Sequence, residues 1–399
     1  MSEALRDPRP TQEKLSRRGL LTLGALTATG PLVTDLYLPA LPDLARSMGT
    51  SEAAGQLTMS VCLVGLALGQ LVAGPLSDRI GRTGPLRWGV LILVVTSFLC
   101  AVATNIVLLL VLRLVQGLAG AAALVIARAI VRDVYDGARA AKVYSDLILV
   151  MGLAPVIGPV LGGQLLTVTD WRGIFVLLGA IASLLLAACW WCLDETHPPE
   201  VRAAAPSHQR ALRTLLADPH FRSFMAITAL LGIVLFTYIS MSSFVLRNDF
   251  GLGPVAYALT FGANAVGMII GSQVGARLVA RTGPARMLRA GLLLIAAATT
   301  SLAIAFALDA PLAVPLVALW LVLAGLGMSM GSCTSLALGP HAGRAGSAAA
   351  LLGTSQFLFG AAIPPLVSVG GTSGEVMGIT MAAAGLGSLL ALRVALRRS

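Results

Sequence analysis

Charged side chains are scarce in this chain: they make up 12% of its 399 residues, whereas soluble domains carry roughly 25%. Hydrophobic residues account for 57%, which is more apolar surface than a soluble core can hide. The low charge therefore excludes an ordinary soluble enzyme or binding domain. It predicts a protein whose surface faces lipid.

Cysteine is also rare, and its five copies give no disulfide framework, because all of them fall in apolar segments and none lies in an outward-facing loop. Cys189 and Cys192 have the spacing of a redox or metal pair. A second pair of ligands is missing, so packing cysteines beside interfacial tryptophans are the favoured interpretation. We expect no metal and no cofactor.

Histidine is limited to four residues, all of which fall in loops. An enzyme acting inside the membrane needs paired carboxylates, a serine with a histidine, or a metal-binding set within the spans. No such set is present in the apolar segments, so the sequence predicts a protein that is not an enzyme.

Long apolar runs dominate what is there. Windows of about 20 residues are the length of a membrane-spanning helix, and twelve of them follow one another along the chain. They cover residues 20–41, 54–76, 86–104, 106–127, 143–167, 171–193, 223–246, 256–276, 287–308, 311–334, 346–369 and 376–392. The predicted fold class is therefore an all-α polytopic membrane protein with twelve transmembrane helices.

The basic residues lie in the segments that would face one side of the membrane. If the amino terminus is cytoplasmic, only Arg46, Arg172 and Arg247 fall outside, and Arg113 lies within a span. This asymmetry places both termini in the cytoplasm. It also accounts for the net charge of +10 without nucleic acid. We expect the bilayer, not a nucleic acid, as the surrounding partner.

The chain divides into two halves of six spans. A polar, proline-containing stretch at 194–222 separates a first bundle at 20–193 from a second at 223–392, with short cytoplasmic tails at 1–19 and 393–399. Residues 82–87 are echoed by residues 281–286 at five of six positions, 199 residues later. The repeat indicates a duplicated bundle.

Asp35 is the exceptional acid, because it lies in the first span, about 9 Å from that span's outer end if the helix continues there. An ionised carboxylate at this depth is costly, so it should pair with a cation, reach a water-filled cavity or take up a proton. Competition between a proton and a substrate at one carboxylate would couple their movements. A simple polar contact near Pro39 and Pro42 remains the alternative.

Arg113 is the only basic residue well inside a span. A lone buried guanidinium needs a partner, and Gln116 shares its helix face. Gly117 and Gly120 allow another helix to approach closely. Arg113 would either relay protons or balance the charge of Asp35, or it would bond carbonyl groups of a broken neighbouring helix.

The fifth span is unusually rich in proline and glycine, with two prolines and four glycines in twelve residues. These residues remove backbone hydrogen bonds and side-chain bulk together, which favours a kinked helix with a flat face. We predict a hinge or a tight seal between the halves. Its residues are Gly152, Pro155, Gly158, Pro159, Gly162 and Gly163.

The loop after the second span combines a helix breaker with four charges. Its Asp78 lies among arginines, which predicts a salt bridge that forms and breaks with conformation at the inner side. At an offset of 199 residues the second half has Arg277 in place of this acid, so the latch would be one-sided. The candidate gating residues are Gly74, Asp78, Arg79, Gly81 and Arg82.

These segments, in this order, resemble the major facilitator superfamily and its drug/proton antiporters. The loop is similar to motif A, the Arg113 segment to motif B and the fifth span to motif C. Finer similarity to the Bcr/CflA subfamily, named for bicyclomycin and chloramphenicol resistance, comes from YLPALP at 37–42, ARAIVRD at 127–133, WRGIF at 171–175 and HAGRAGS at 341–347.

The resemblance implies two six-helix bundles, related by a pseudo-two-fold axis, around a cavity that opens to either side in turn. It implies that protons move inward as drugs move out across a bacterial inner membrane, and we expect a monomer. Asp35, Arg113, Gln116 and Tyr37 would serve proton and substrate coupling. The first span contains no second deep carboxylate, so neutral or singly charged drugs are expected. An importer or facilitator of a sugar or organic acid would use the same fold, although few polar groups lie in the spans.

Overall fold

The computed structural model describes residues 15–135, 137–196, 214–340 and 345–396, and all regular structure within these ranges is helical. Parts of the predicted tails and linker, together with residues 341–344 of the HAGRAGS segment, lie outside the described residues. The α-helices are α1 (Arg17–Thr27), α2 (Thr29–Asp35), α3 (Leu41–Ser47), α4 (Glu52–Ile80), α5 (Thr83–Ala101), α6 (Ile106–Val134), α7 (Gly137–Leu165), α8 (Trp171–Cys192), α9 (Pro219–Phe244), α10 (Pro254–Thr282), α11 (Pro284–Ala307), α12 (Ala313–Leu338), α13 (Ala345–Val367) and α14 (Gly374–Leu396).

Ten helices in the described ranges are long and apolar enough to cross a membrane. They coincide with ten of the twelve predicted windows. The other two windows are the first, which is divided between α1 and α2, and the fifth, which is α7 with Pro155 and Pro159 inside it. The polytopic helical fold predicted from the apolar windows is confirmed.

The first span differs from the continuous helix that the sequence predicted. Helix α2 ends at Asp35, and a 3₁₀ turn at Leu38–Ala40 follows before α3. The cause is Pro39, which has no N–H to donate to the carbonyl of Asp35 four residues earlier and whose ring clashes with that carbonyl. The expected depth of 9 Å along a helix is therefore wrong, because Asp35 lies at a helix end.

Helices of the first half pack on one another, most extensively α4 on α6 and α5 on α8, and the second half repeats this with α10 on α12. Glycines make the crossings possible. A Cβ at Gly69 would lie 2.5 Å from the carbonyl oxygen of Leu118, and one at Gly271 would overlap the carbonyl oxygen of Ala324. The two halves therefore use the same close helix packing, with glycines 202 residues apart.

The ends of α4 and α10 give the structural register of the repeat. Both helices stop at a glycine with positive φ, 103° at Gly81 and 80° at Gly283, a conformation that favours glycine. These glycines are 202 residues apart, not 199. The counterpart of Asp78 is therefore Ala280, and the assignment of Arg277 to that position was wrong because it followed the sequence echo. Neither register has an acid.

The two halves meet along α7 with α10 and α4 with α13. In the described residues, the hydrogen bonds that join the halves lie toward one end, which carries Arg46, Arg172 and Arg247 and is called the outer end here. Gln56 is fully buried there; its amide donates to the Thr372 hydroxyl at 2.8 Å, and its carbonyl accepts from the hydroxyls of Ser240 at 3.1 Å and Ser368 at 3.0 Å.

An ion pair reinforces the closed outer end. Arg247, which follows α9, donates to Asp43 of α3 at 2.8 Å and to the Pro39 carbonyl at 2.6 Å. Ser243 donates to the Leu38 carbonyl at 2.7 Å. Since Arg247 is 10% exposed, its bonds are shielded from water and are stronger than those of a surface pair.

Replacing Arg247 with methionine is expected to shift the protein toward a state open at its outer end. The change removes charge-assisted hydrogen bonds worth about 1.5–3 kcal/mol each, which corresponds to roughly a tenfold or larger shift in population. Spin labels at Thr50 and Gly253 should report a second, longer distance. The matched control is Arg46→Met, since Arg46 pairs with the same Asp43 but is 64% exposed. Equal behaviour of both variants would contradict the prediction.

Candidate substrate cavity and coupling site

A cavity of about 200 Å³ lies between the two halves. The first half lines it from α2, α4, α6 and α7, and the second half from α9, α10, α12 and α13. The described lining is almost entirely apolar, with oxygen-bearing side chains only at Thr34, Asp35 and Tyr238. Pockets for drug-sized ligands usually measure roughly 300–1,000 Å³, so such a ligand requires the halves to move apart.

Asp35 is the single carboxyl group among the described lining residues. One of its oxygens, Oδ1, accepts a hydrogen bond from the Thr34 hydroxyl at 2.7 Å. No hydrogen bond or ion pair to Oδ2 is recorded in the described part of the chain. An ionised carboxylate facing apolar walls is costly, and either a proton or a cationic ligand would relieve that cost.

Arg113 belongs to a second cluster directly behind Asp35. Its guanidinium donates to the carbonyl oxygens of Val33 at 3.1 Å and Thr58 at 3.2 Å, and to the Gln116 amide oxygen at 2.5 Å. The guanidinium carbon lies 4.3 Å from the centre of the Tyr37 ring, a cation–π contact. Arg113 is fully buried, and its second terminal nitrogen has no partner.

The structure therefore separates the four predicted coupling residues. Asp35 faces the cavity, whereas Arg113, Gln116 and Tyr37 are buried behind it and do not line it. Within the described residues, no ion pair joins Arg113 to Asp35. Arg113 instead bonds a carbonyl of the broken first span, the alternative that the sequence left open. It contacts the chain two residues before and two residues after Asp35.

Glycine determines how the cluster forms. A Cβ at Gly117 would overlap the carbonyl oxygen of Cys62, so only glycine lets α6 approach α4 this closely. The approach brings Arg113 within reach of the Thr58 carbonyl, and the Gln116 amide donates to the Ser97 hydroxyl at 2.9 Å. At Gly120 a Cβ would meet only ordinary contact, so the predicted close approach rests on Gly117.

Helix α7 contacts the break in the first span on one face and the second half on another. A Cβ at Gly158 would lie 3.8 Å from the Cβ of Asp35, and one at Gly162 would overlap the Leu36 carbonyl oxygen. On the other face, a Cβ at Gly163 would lie 2.9 Å from the Pro254 carbonyl oxygen of α10. Pro155 lines the cavity. Pro159 is buried in the helix, and the surroundings of Gly152 lie outside the described residues.

The charged loop at the inner end forms a compact ion-pair cluster within the first half. Arg82 is 1% exposed; it donates to Asp78 at 2.5 Å and to Asp133 of α6 at 2.7 Å and 3.3 Å. Burial lowers the pKa of the Arg82 guanidinium, but the hydrogen bonds to Asp133 and Asp78 outweigh burial and raise that pKa above its ordinary value. Glu195 accepts from the backbone N–H groups of Arg82 and Thr83 at 2.8 Å and 3.1 Å.

The other predicted gating residues have smaller parts in this cluster. Arg79 is exposed, and Gly81 supplies the positive φ at which α4 ends. Helix α4 continues through Gly74 and Pro75 to Ile80, so the helix does not end near Pro75. Asp133 was missed as a partner; it lies 51 residues from Arg82, and only the packing of α6 against α4 and α5 brings the two together.

Removing the Asp133 carboxylate is expected to destabilise the protein more than removing that of Asp78. Asp133 is 12% exposed and binds Arg82 through two nitrogens, whereas Asp78 is 40% exposed and accepts one hydrogen bond from it. We expect a loss of about 3 kcal/mol for Asp133→Asn, as for a broken buried pair, and about 1 kcal/mol for Asp78→Asn. Thermal unfolding of the purified protein in detergent measures both. A larger effect of Asp78→Asn would contradict the prediction.

The helical bundle with a cavity between two halves defines a polytopic membrane protein of the transporter class. Residues 23–365 match the model of the Major Facilitator Superfamily. The chain therefore belongs to this superfamily of transporters.

Among curated relatives, an uncharacterized MFS-type transporter, YdgK of Bacillus subtilis, is 35% identical over 366 residues, 90% of each chain. Multidrug resistance protein MdtL of Klebsiella pneumoniae is 32% identical over 341 residues, 85% of each. Among solved structures, the nucleoside transporter NupG has a TM-score of 0.78 at 11% identity, covering 94% of this chain and 99% of that one. A bacterial homologue of the human lysosomal transporter Spinster, inward-facing and occupied, has a TM-score of 0.74 at 16% identity and 94% coverage of both. These two structures support the fold alone.

Proposed function

We propose that this protein is a proton-coupled exporter of drugs and antibiotics that are small, mostly apolar, and neutral or singly cationic. The observation that carries the proposal is the cavity between the halves, which is lined by apolar side chains around the carboxyl group of Asp35. Apolar walls suit apolar cargo. One carboxyl group gives a single site at which a proton and a substrate compete. The 32% identity to MdtL supports export of drugs.

In the proposed cycle, substrate entering from the inner end displaces the proton on Asp35. A cationic substrate then replaces the lost proton with its own charge, and a neutral one separates the carboxylate from the opposite wall. The loaded protein closes at its inner end and opens at its outer end, as alternating access requires. A proton arriving from outside returns Asp35 to its neutral form and releases the substrate.

The buried cluster positions Asp35 in this cycle. Arg113 bonds the Val33 carbonyl and contacts the Tyr37 ring, and Gln116 fixes the guanidinium. A shift of the first span on loading or release of the proton would thus be felt by Arg113. The unpartnered nitrogen of Arg113 is the point at which a water could carry a proton toward the carboxylate.

We place the protein in the bacterial cytoplasmic membrane with both termini inside, as a monomer of the Bcr/CflA subfamily. The distribution of arginines supports this orientation. The cluster at Arg82 would then act as the inner gate, and the contacts of Gln56 and Arg247 as the outer seal. The halves would correspond to residues 20–193 and 223–392, joined by a linker at 194–222.

The proposal is tested with everted membrane vesicles that carry an imposed gradient, acidic inside. Addition of chloramphenicol or tetraphenylphosphonium should release protons from the lumen, recorded with a pH-sensitive dye, and drug uptake should stop when nigericin collapses the gradient. Vesicles without the protein are the control. Drug uptake that neither releases protons nor responds to nigericin would overturn proton coupling, and no uptake of either drug would overturn drug export.

A further inference from the structure

Tyr238 is the one oxygen-bearing side chain that the second half contributes to the described cavity lining. It lies in α9 and is 2% exposed. Asn264 of α10 donates a hydrogen bond from its amide to the Tyr238 hydroxyl at 3.1 Å. The hydroxyl thus accepts one hydrogen bond, and no acceptor for its own hydrogen is recorded in the described part of the chain.

The Tyr238 ring is also held in place. It stacks on Phe261 with ring centres 5.2 Å apart and an angle of 18° between the planes. Phe261 and Asn264 are three residues apart on α10 and share a face, so one helix holds both the ring and the hydroxyl. A buried donor without an acceptor costs about 1–3 kcal/mol. The fixed hydroxyl is therefore a donor prepared for a ligand.

Tyr238 and Asp35 are the two polar groups in the cavity that a ligand can use. The third, Thr34, directs its hydroxyl to Asp35 and to the carbonyl oxygens of Gly30 and Pro31. Asp35 belongs to the first half and Tyr238 to the second, and the two lie within electrostatic range of each other. A ligand in the cavity has one polar point in each half and apolar contact between them.

We infer that the Tyr238 hydroxyl, held by Asn264, is a substrate-binding donor that selects compounds carrying a hydrogen-bond acceptor, such as a carbonyl, nitro or ether oxygen. The inference rests on the proposed function, since it assigns substrate specificity to the same cavity. Substrates with an acceptor bind to both halves at once. Lipophilic cations without an acceptor bind through Asp35 and the aromatic wall alone.

The test is equilibrium binding of radiolabelled chloramphenicol, which carries several acceptors, and of tetraphenylphosphonium, which carries none, to the purified full-length protein without any gradient. In Tyr238→Phe, which removes one oxygen and keeps the stacked ring, the affinity for chloramphenicol should fall about fivefold, the usual effect of one neutral hydrogen bond. The affinity for tetraphenylphosphonium should stay unchanged. Asn264→Leu, which releases the hydroxyl, should lower chloramphenicol affinity in the same selective way.

The matched control is Tyr257→Phe. Tyr257 is also fully buried and bonded through its hydroxyl, to Ser242 at 3.2 Å, but it does not line the cavity. Both affinities should stay at the wild-type level in this variant. Thermal unfolding of each variant establishes that it is folded.

Three results would overturn the inference: an unchanged chloramphenicol affinity in Tyr238→Phe, an equal loss for both probes, or an equal selective loss in Tyr257→Phe. A wild-type protein that binds tetraphenylphosphonium but not chloramphenicol overturns it as well. Binding of neither probe overturns the inference and drug export together. A selective loss in a protein that fails to exchange drug for protons in vesicles supports the inference and removes proton coupling alone.

Discussion

Asp35→Asn is expected to reduce drug-dependent proton release in everted vesicles to the level of vesicles without the protein. Asparagine has nearly the same shape and keeps a partner for the Thr34 hydroxyl, but it cannot exchange a proton. Asp35 is the single carboxyl group in the described lining of the cavity, so we expect no other lining side chain to replace it. Binding of chloramphenicol, which is neutral, should persist in the variant, while the affinity for tetraphenylphosphonium should fall.

The control for this variant is Glu375→Gln, which neutralises an exposed acid outside the cavity and should leave proton release at the wild-type level. Equal drug-dependent proton release in Asp35→Asn and wild type would show that coupling takes place elsewhere. Loss of binding for both drugs in Asp35→Asn would show that the carboxyl group shapes the cavity instead of coupling it.

Gly162→Ala is expected to reduce transport to less than about a tenth of the wild-type rate. The added methyl group would overlap the carbonyl oxygen of Leu36, which is backbone and cannot rotate away. Either α7 or the break in the first span must move, and overpacking of this kind costs about 1–3 kcal/mol. The movement occurs next to Asp35 and at the contact between the halves, so both coupling and closure are affected.

The matched control is Gly331→Ala in α12, where a Cβ would meet nothing within 4 Å. Because alanine is favoured over glycine within helices by about 1 kcal/mol, this variant should keep its transport and unfold at the same or a higher temperature. Transport assays and thermal unfolding of both variants provide the comparison. Wild-type transport by Gly162→Ala would mean that the contact with Leu36 is dispensable.

Much of the fold could be predicted from the sequence, because a run of 20 apolar residues has few stable alternatives to a membrane helix. The ends and breaks of helices were harder. Pro39 was visible, but its effect falls four residues earlier, on Asp35, and the apolar run continues through the break. The repeat was misaligned by three residues, because its basic residues are similar while the helix-ending glycines, Gly81 and Gly283, set the structural register.

The candidate site was predictable where one residue type stood out. An acid or an arginine in an apolar run is conspicuous, so Asp35 and Arg113 were found. Their partners were not, because hydrogen bonds to carbonyl oxygens leave no trace in side-chain patterns. Tyr238 is one tyrosine in an apolar helix, and only the packing of α9 against α10 places its hydroxyl beside Asn264. Asp133 became a partner of Arg82 through the same kind of packing.

The amide of Gln56 and its three hydroxyl partners carry no charge, and this sets how the outer seal responds to membrane voltage. Voltage acts on moving charge, at about 2.3 kcal/mol per elementary charge per 100 mV. Separating these neutral groups moves none, so voltage exerts no direct force on them. It acts instead on the proton and on a cationic substrate as they travel to and from Asp35. We therefore expect the rate of export to depend on voltage through its cargo, with neutral and cationic drugs giving different voltage dependence.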